Sequence, residues 1–269
     1  MRAIILAAGV GRRLAKYTRN RPKCLLEIGG RSLLEWQIET LRQGGIDDIV
    51  VVKGYAAEKV NLKGARYYVN DAFANSNMVL SLFCAESEIE GNVIVSYGDI
   101  LFQKSTLQTL LRAPAHEVLV AVDTLWKEYY KERSPIALQE AESLICDADG
   151  RILEIGRARP DPSDIQAQYI GLIRLSEEGC RIFQETYRRA KSEYWGKEWV
   201  RGRVFQQAYM TDFLQALIDH GVPVYSVPVR NGWLEFDTDS DYEKVLAWHA
   251  QGTLSRFFKF DVCEQALRS

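Results

Sequence analysis

Two cations and two carboxylates, scattered through the chain, are of the types that handle a polyphosphate. Arg13 and Lys23 stand shortly after a glycine loop, Ala7-Ala8-Gly9-Val10-Gly11-Arg12-Arg13-Leu14, which follows the apolar run 2–6. Glycines let backbone amides approach a phosphate, and amides aimed one way form an anion-binding nest. From Arg12 to Arg31 there are seven basic residues (Arg12, Arg13, Lys16, Arg19, Arg21, Lys23, Arg31) against one acid, Glu27. In a chain of net charge −2 this is a local electropositive patch suited to a polyphosphate. Asp99 directly follows Gly98 at the end of an apolar run, and Asp237 closes Glu235-Phe236-Asp237. Two carboxylates from different strand ends can hold one Mg²⁺, which keeps waters and takes phosphate oxygens as further ligands. Each residue also has a plainer reading. Lys23 would be a surface lysine after Pro22, and Asp99 a turn residue. Asp237 would be an acid at a helix N-terminus, a place for which Asp239 and Asp241 compete.

The elements that must position these groups alternate. Residues 2–6, 49–52, 92–97 and 118–122 read as buried strands. Ser32-Leu33-Leu34-Glu35 reads as a capping box opening a helix, with Leu34, Ile38 and Leu41 on one face and a stop at Gly44. Residues 76–86 and the Leu107, Leu110, Leu111 stretch read as further helices. The alternation predicts an α/β fold with a doubly wound, mainly parallel sheet. Ligands bind such sheets beyond the carboxyl ends of the strands, where the glycine loop lies. After about residue 123 the pattern changes. Ser143 to Gly156 predicts a hairpin with a type I′ turn at Asp149-Gly150, and 157–168 a Pro/Asp-rich surface loop. A strand at 169–175, a helix at 176–191 and a helix at 212–220 follow. A strand at 222–228, the run 233–236 and a helix opening near Thr238 return to the α/β pattern. One domain over 1–252 is expected, with a looser region at 124–205. The tail 253–269 reads as an extra helix or a homodimer contact.

Composition excludes several classes. With 34 Lys plus Arg against 36 Asp plus Glu there is no basic excess for gripping nucleic acid. Apolar residues at 47% and charged residues at 26% exclude wholesale disorder. No apolar run approaches the roughly 20 residues of a membrane span, and residues 1–9 are too short an apolar stretch for a signal peptide. Five cysteines (Cys24, Cys84, Cys146, Cys180, Cys263) form no C-x-x-C pair, and His116, His220 and His249 are far apart. A cytoplasmic protein without a disulfide framework or a Cys- or His-based metal site is expected.

Three glycine-loop readings compete. A dinucleotide site wants a third glycine where Leu14 stands, and an acid where the second strand ends in Lys53-Gly54. The P-loop pattern is absent. The strand, L-A-A-G-x-G-x-R-L and then Pro22-Lys23 resemble the signature of the sugar-nucleotidyltransferase superfamily, over most of the chain. Asn75-Ser76-Asn77-Met78-Val79-Leu80-Ser81-Leu82, Val95-Ser96-Tyr97-Gly98-Asp99-Ile100 and Trp233-Leu234-Glu235-Phe236-Asp237-Thr238 resemble the phosphocholine and phosphonate cytidylyltransferase group.

That resemblance implies a Rossmann-like nucleotidyltransferase fold with an inserted acceptor-binding subdomain at 124–205. It implies transfer of CMP from CTP to a small phosphorylated acceptor, with Mg²⁺ and release of pyrophosphate. Arg13 and Lys23 would be catalytic, Arg13 at the β,γ-phosphates and Lys23 at the α-phosphate. Leu6, Ala7, Ala8, Gly9 and Gly11 would line the nucleotide, with Asn77 or Ser81 reading the base. Asn75-Ser76-Asn77 is equally a helix N-cap cluster. Asp99 and Asp237 would hold the metal. Asp123, Trp126, Tyr129 and Tyr169 are the acceptor candidates, because aromatic faces and a carboxylate attract a quaternary ammonium. Alternatives are a sugar-1-phosphate nucleotidyltransferase using UTP or dTTP, and a non-catalytic nucleotide-binding protein on the same fold. A nicotinamide oxidoreductase fits least.

Overall fold

A computed structural model describes residues 1–134 and 137–260. The chain opens with β1 (Arg2–Ala7), the glycine loop, α1 (Ala15–Thr18) and a small ribbon of β2 (Glu27–Ile28) and β3 (Arg31–Ser32). Then come α2 (Leu33–Gln43), β4 (Asp48–Lys53), β5 (Arg66–Val69), α3 (Met78–Phe83), β6 (Val93–Tyr97), β7 (Ile100–Phe102), α4 (Lys104–Arg112) and β8 (Val118–Asp123). The next stretch holds α5 (Trp126–Arg133), α6 (Ala137–Glu140), β9 (Glu142–Cys146), β10 (Ile152–Ala158), β11 (Gln168–Leu175) and α7 (Glu177–Tyr194). It ends with α8 (Met210–Asp219), β12 (Tyr225–Val229), β13 (Trp233–Glu235) and α9 (Asp239–Ala250).

Seven strands form one sheet in the order β12-β8-β11-β6-β1-β4-β5. β1 lies parallel to β4 and β6, with Ile5 opposite Val51 and Ser96. Side chains alternate across β1. Ala3, Ile5 and Ala7 face a layer containing α2, α4 and α9, while Ile4 and Leu6 face one containing α3, α7 and α8. Burial on both faces explains why the central strands read as unbroken apolar runs. The box at α2 forms as its sequence predicts: the Glu35 amide donates to Ser32 Oγ at 3.2 Å, and the Ser32 amide donates to Glu35 Oε2 at 2.8 Å.

The looser stretch contributes to this sheet as well as to its own small one. β11 lies antiparallel between β6 and β8 and follows the β9–β10 hairpin directly. The hairpin is present, but its turn is not type I′. Among the positive-φ residues Gly150 (φ 80) appears and Asp149 does not. Asp147 Oδ1 instead accepts from the amides of Asp149 and Arg151, both at 3.0 Å, so an Asx-type turn closes the loop. The helix expected over 76–86 is shortened to Met78–Phe83, because Ser76 and Asn77 are extended. In the tail Leu254, Phe257 and Phe258 are buried in the core; Cys263 and the rest of 261–269 lie outside the described residues. Among the described residues no helix is long and apolar enough to cross a membrane.

Candidate active site

The glycine loop leaves the carboxyl end of β1, and close backbone packing defines its edge. A Cβ on Gly98 would lie 2.7 Å from the Leu6 carbonyl oxygen and 2.9 Å from Ala7 Cα. Only glycine lets the turn after β6 rest on β1, and that contact brings Asp99 to the loop. Gly11 takes φ 67, and Thr18 Oγ1 donates to the carbonyls of Gly11 and Leu14, both at 2.9 Å, pinning the loop's far end. At Gly9 the space a Cβ would occupy is empty. A cleft here is lined by Leu6 to Gly9, Lys23, Asn77, Ser81 and Asp99.

Asp99 and Asp237 meet because β7 and β13 pair antiparallel, with Ile100 opposite Glu235. One aspartate precedes the first strand and the other follows the second, so both sit at one end of the ribbon. The Lys23 ammonium joins them, donating to Asp99 Oδ2 at 2.6 Å and to Asp237 Oδ1 at 2.9 Å. The other Asp237 oxygen faces Arg133 at 3.2 Å and Arg13 at 3.4 Å. Burial pushes the Asp237 carboxyl up, but Lys23, Arg133 and Arg13 outweigh it and hold the group well below the usual carboxylate range. Burial likewise lowers Lys23, and the two aspartates overcome it and raise the ammonium above its ordinary value. Helix capping falls to other residues. Thr238 caps α9, and Asp241 completes the box while accepting from the Asp237 amide at 3.1 Å and from Arg133 at 2.9 Å. Asp237 is thereby left free of capping, and it lines the cavity on the far side of Asp99. Two hard carboxylate donors converging on one point suit Mg²⁺. Among the described residues no group of three or more His, Cys, Asp or Glu forms a metal site by itself, so a cation there would need ligand oxygens.

At the other side of the cleft stands Asn77, a helix cap that also lines the wall. Its Oδ1 accepts from the Met78 amide at 2.9 Å. Ser81 Oγ donates to the Asn77 carbonyl at 3.1 Å and accepts from the buried Asn70 at 2.9 Å. Asn70 also donates to Ser76 Oγ at 2.9 Å, so one buried amide orients both hydroxyls.

A second cavity adjoins the first across the Asp99–Asp237 cluster. Arg13, Arg133, Glu142, Gln168, Tyr169 and Tyr209 are among its walls. Of the acceptor candidates only Tyr169 lines it. Asp123 is fully buried and stitches loops together, accepting from Trp233 Nε1 at 2.9 Å, the Leu125 amide at 2.9 Å and the Asn231 amide at 3.0 Å. Trp126 is buried edge-on to Tyr130. The Tyr129 hydroxyl accepts from the Glu235 amide at 3.1 Å. These three side chains belong to the core, and the structure brings none of them to either cavity.

Comparison with known proteins places this geometry. Residues 3–141 match the family described as MobA-like NTP transferase domain. Over 256 residues the chain is 33% identical to the CTP:phosphoglutamine cytidylyltransferase of Campylobacter jejuni, covering 90% of this chain and 98% of that protein. The chain belongs to the MobA-like NTP transferase family. A further 38% identity over 117 residues, 42% of this chain and 51% of the other, links this NTP transferase to the choline-phosphate cytidylyltransferase of Streptococcus pneumoniae. The solved CTP:phosphocholine cytidylyltransferase of that organism shares the fold, with TM-score 0.68, 22% identity and coverage of 91% and 97%. So does the inositol-1-phosphate CTP transferase of T. maritima, with TM-score 0.69, 19% identity and coverage of 96% and 97%.

For this transferase, sequence reasoning overlooked Asn70, Arg133 and Glu142. Arg133 is 5% exposed and pairs with Glu235, Asp237 and Asp241. Its signal was the Tyr-Tyr-x-x-Arg run of α5, which reads as an ordinary helix face until β13 is placed beside it. The seven-residue basic patch also resolves differently. Arg13 and Lys23 reach the cavities, whereas Lys16 pairs with Glu243, Arg21 with Glu27, and Arg31 lies over Trp36.

Proposed function

We propose that this NTP transferase moves CMP from CTP to a small phosphorylated acceptor and releases pyrophosphate, with Mg²⁺ as cofactor. The supporting observation is the convergence of Lys23, Arg13, Asp99 and Asp237 between two adjoining cavities. The cavity beside the glycine loop takes the nucleotide and the one beyond Arg133 takes the acceptor. The names of the cytidylyltransferase relatives support the choice of CTP.

An acceptor phosphate oxygen attacks the α-phosphorus of CTP, a P–O bond forms, and the bond to the β-phosphate breaks with its electrons leaving on pyrophosphate. A phosphate monoester with a second pKa near 6 is mostly dianionic at pH 7, so no side chain has to remove a proton. The barrier is the approach of two anions, which positioning and charge neutralisation lower. Lys23 turns from the aspartates to the α-phosphate, and Arg13 holds the departing β,γ-phosphates. The amides of the Gly9–Gly11 loop face the triphosphate chain. Asp99 and Asp237 would hold Mg²⁺, which supplies charge neutralisation to the phosphate oxygens.

The test is pyrophosphate release from CTP, with and without Mg²⁺, against a panel of small phosphates and phosphonates. CTP-specific, Mg²⁺-dependent release is expected. Turnover of UTP or dTTP with sugar 1-phosphates would overturn the nucleotide choice, and silence with every pair would overturn catalysis.

A further inference from the structure

The acceptor cavity is lined by three carboxyls that the transfer chemistry does not use; Glu140 is paired with Arg13 and Glu235 with Arg133, which leaves Glu142. Glu142 opens β9, and its backbone is clamped to Gln168, whose Nε2 donates to the Glu142 carbonyl at 2.6 Å. The clamp leaves the carboxyl in the cavity wall, with a hydrogen bond from Thr211. Among the described residues no cation is paired with it. Arg201 and Arg203 are its neighbouring positive charges, and both are spent on the buried Asp212, at 3.2 and 2.9 Å. Burial is the main influence on the Glu142 carboxyl and pushes it up to about 7. A carboxyl in such a place either stays protonated or receives a cation from the ligand.

The cavity's aromatic residues define what kind of cation. A quaternary ammonium needs several open ring faces. Tyr209 has the Arg203 guanidinium 3.9 Å from its ring centroid, and Tyr130 has that of Arg133 at 5.3 Å. Tyr97 and Tyr169 meet edge-on, with centroids 5.5 Å apart. Gly171 lies against the Tyr97 ring so closely that a Cβ there would be 2.9 Å from it. Trp126 and Tyr129 are in the core. What remains is a hydrogen-bonding wall of Glu142, Thr211 and Gln168, which suits N–H donors.

We propose that Glu142 selects the acceptor: a small phosphate or phosphonate bearing a primary ammonium, whose N–H groups donate to this carboxylate while its phosphate lies toward Lys23 and the α-phosphorus. The inference rests on the transferase reading for the phosphate end only. A charge-assisted hydrogen bond inside a cavity is among the strong ones, and a site built to accept N–H donors rejects an analogue that lacks them.

Three matched probes differ at one group: phosphoethanolamine, phosphocholine and 2-hydroxyethyl phosphate. Binding is measured by calorimetry on the full chain with Mg²⁺ and a CTP analogue carrying a methylene between the α- and β-phosphorus. Phosphoethanolamine should bind at least tenfold more tightly than either other probe. Glu142→Gln should erase that preference, and Glu142→Asp should recover part of it. Gln is a neutral isostere of a carboxyl that burial already favours in its neutral form, so the variant should fold, and its melting curve checks this. Equal or tighter binding of phosphocholine or hydroxyethyl phosphate by the wild type overturns the proposal, as does an unchanged preference in Glu142→Gln. Pyrophosphate release is followed separately with CTP. Ammonium-selective binding without release would sink CMP transfer and leave the role of Glu142 standing.

Discussion

Lys23→Met tests the transfer chemistry most directly, because methionine fills a similar length without the charge. The ammonium bridges Asp99 at 2.6 Å and Asp237 at 2.9 Å, and its side chain is only 12% exposed. Removing a preorganised donor from a transition state costs about 3–4 kcal/mol. At 1.4 kcal/mol per tenfold, kcat should fall roughly 100- to 1,000-fold. Stability should fall as well, since breaking a buried pair from one side costs up to about 3–5 kcal/mol. The lower end applies here, because Asp237 keeps Arg133 at 3.2 Å and Arg13 at 3.4 Å and Asp99 is 26% exposed. The pH window follows from the directions of the shifts. Asp237 is held low, so its contribution is present above the ordinary carboxylate value and lost as pH falls through the lowered one. Lys23 is raised, so its contribution is present below its ordinary value and lost as pH rises through the raised one. The contribution of this pair should therefore be flat between about pH 5 and 9, and in the variant Asp237, held less low, should lose a smaller contribution over a narrower span of acid pH. Saturating-CTP turnover and melts in EDTA or Mg²⁺ measure both effects. If Asp99 and Asp237 hold the metal as proposed, the ammonium would compete with it for the same oxygens, and Mg²⁺ alone should raise the variant's Tm more than the wild type's. A kcat within threefold of wild type would remove Lys23 from the mechanism.

Gly9→Ala should fold normally, because its Cβ meets empty space, and should raise KM for CTP by intruding on the phosphate path; an unchanged KM would move the triphosphate elsewhere. Gly98→Ala should instead destabilise the chain by about 1–3 kcal/mol in urea unfolding, because its Cβ meets the β1 backbone. The acceptor's KM should fall as pH rises through about 7, where Glu142 ionises, and Glu142→Gln should flatten that profile. For stability the sign is opposite: a raised carboxyl contributes below its ordinary value and loses that contribution as pH rises through about 7.

The nucleotide edge was legible in the sequence because its constraints are local. A glycine loop after a strand, Pro22-Lys23, and Gly98-Asp99 each do their work within a few residues of β1 or β6. The capping box at Ser32 belongs to the same class. The acceptor side was less legible because its determinants are tertiary. Asp123 ends a strand as the sequence suggests, but whether it faces ligand or Trp233 depends on a residue 110 positions away. Trp126 and Tyr129 share a helix with Arg133, and only the placement of β13 decides that the arginine meets the site and the rings meet the core. The orientation of β11 was hidden for a similar reason: an apolar run states burial, not direction.

The charge of the finished site also differs from what the basic patch implied. Around Asp237 three cations, Lys23, Arg13 and Arg133, stand among five carboxylates, those of Asp99, Asp237, Glu235, Asp241 and Glu140. With every group in its ordinary charge state that cluster is an anion, and a bare triphosphate would be repelled by it. A divalent cation bound by Asp99 and Asp237 would offset the cluster's excess charge and would take over the oxygens that Lys23 holds, leaving the ammonium free to turn toward phosphate. On that proposal the lysine and the metal would be exchangeable partners of the same two aspartates. Asp99→Asn should therefore weaken both the lysine bridge and the metal dependence of CTP binding, while Arg13→Gln should weaken CTP binding and leave its metal dependence in place. Equal loss of metal dependence in both variants would mean that the carboxylates serve only to hold Lys23.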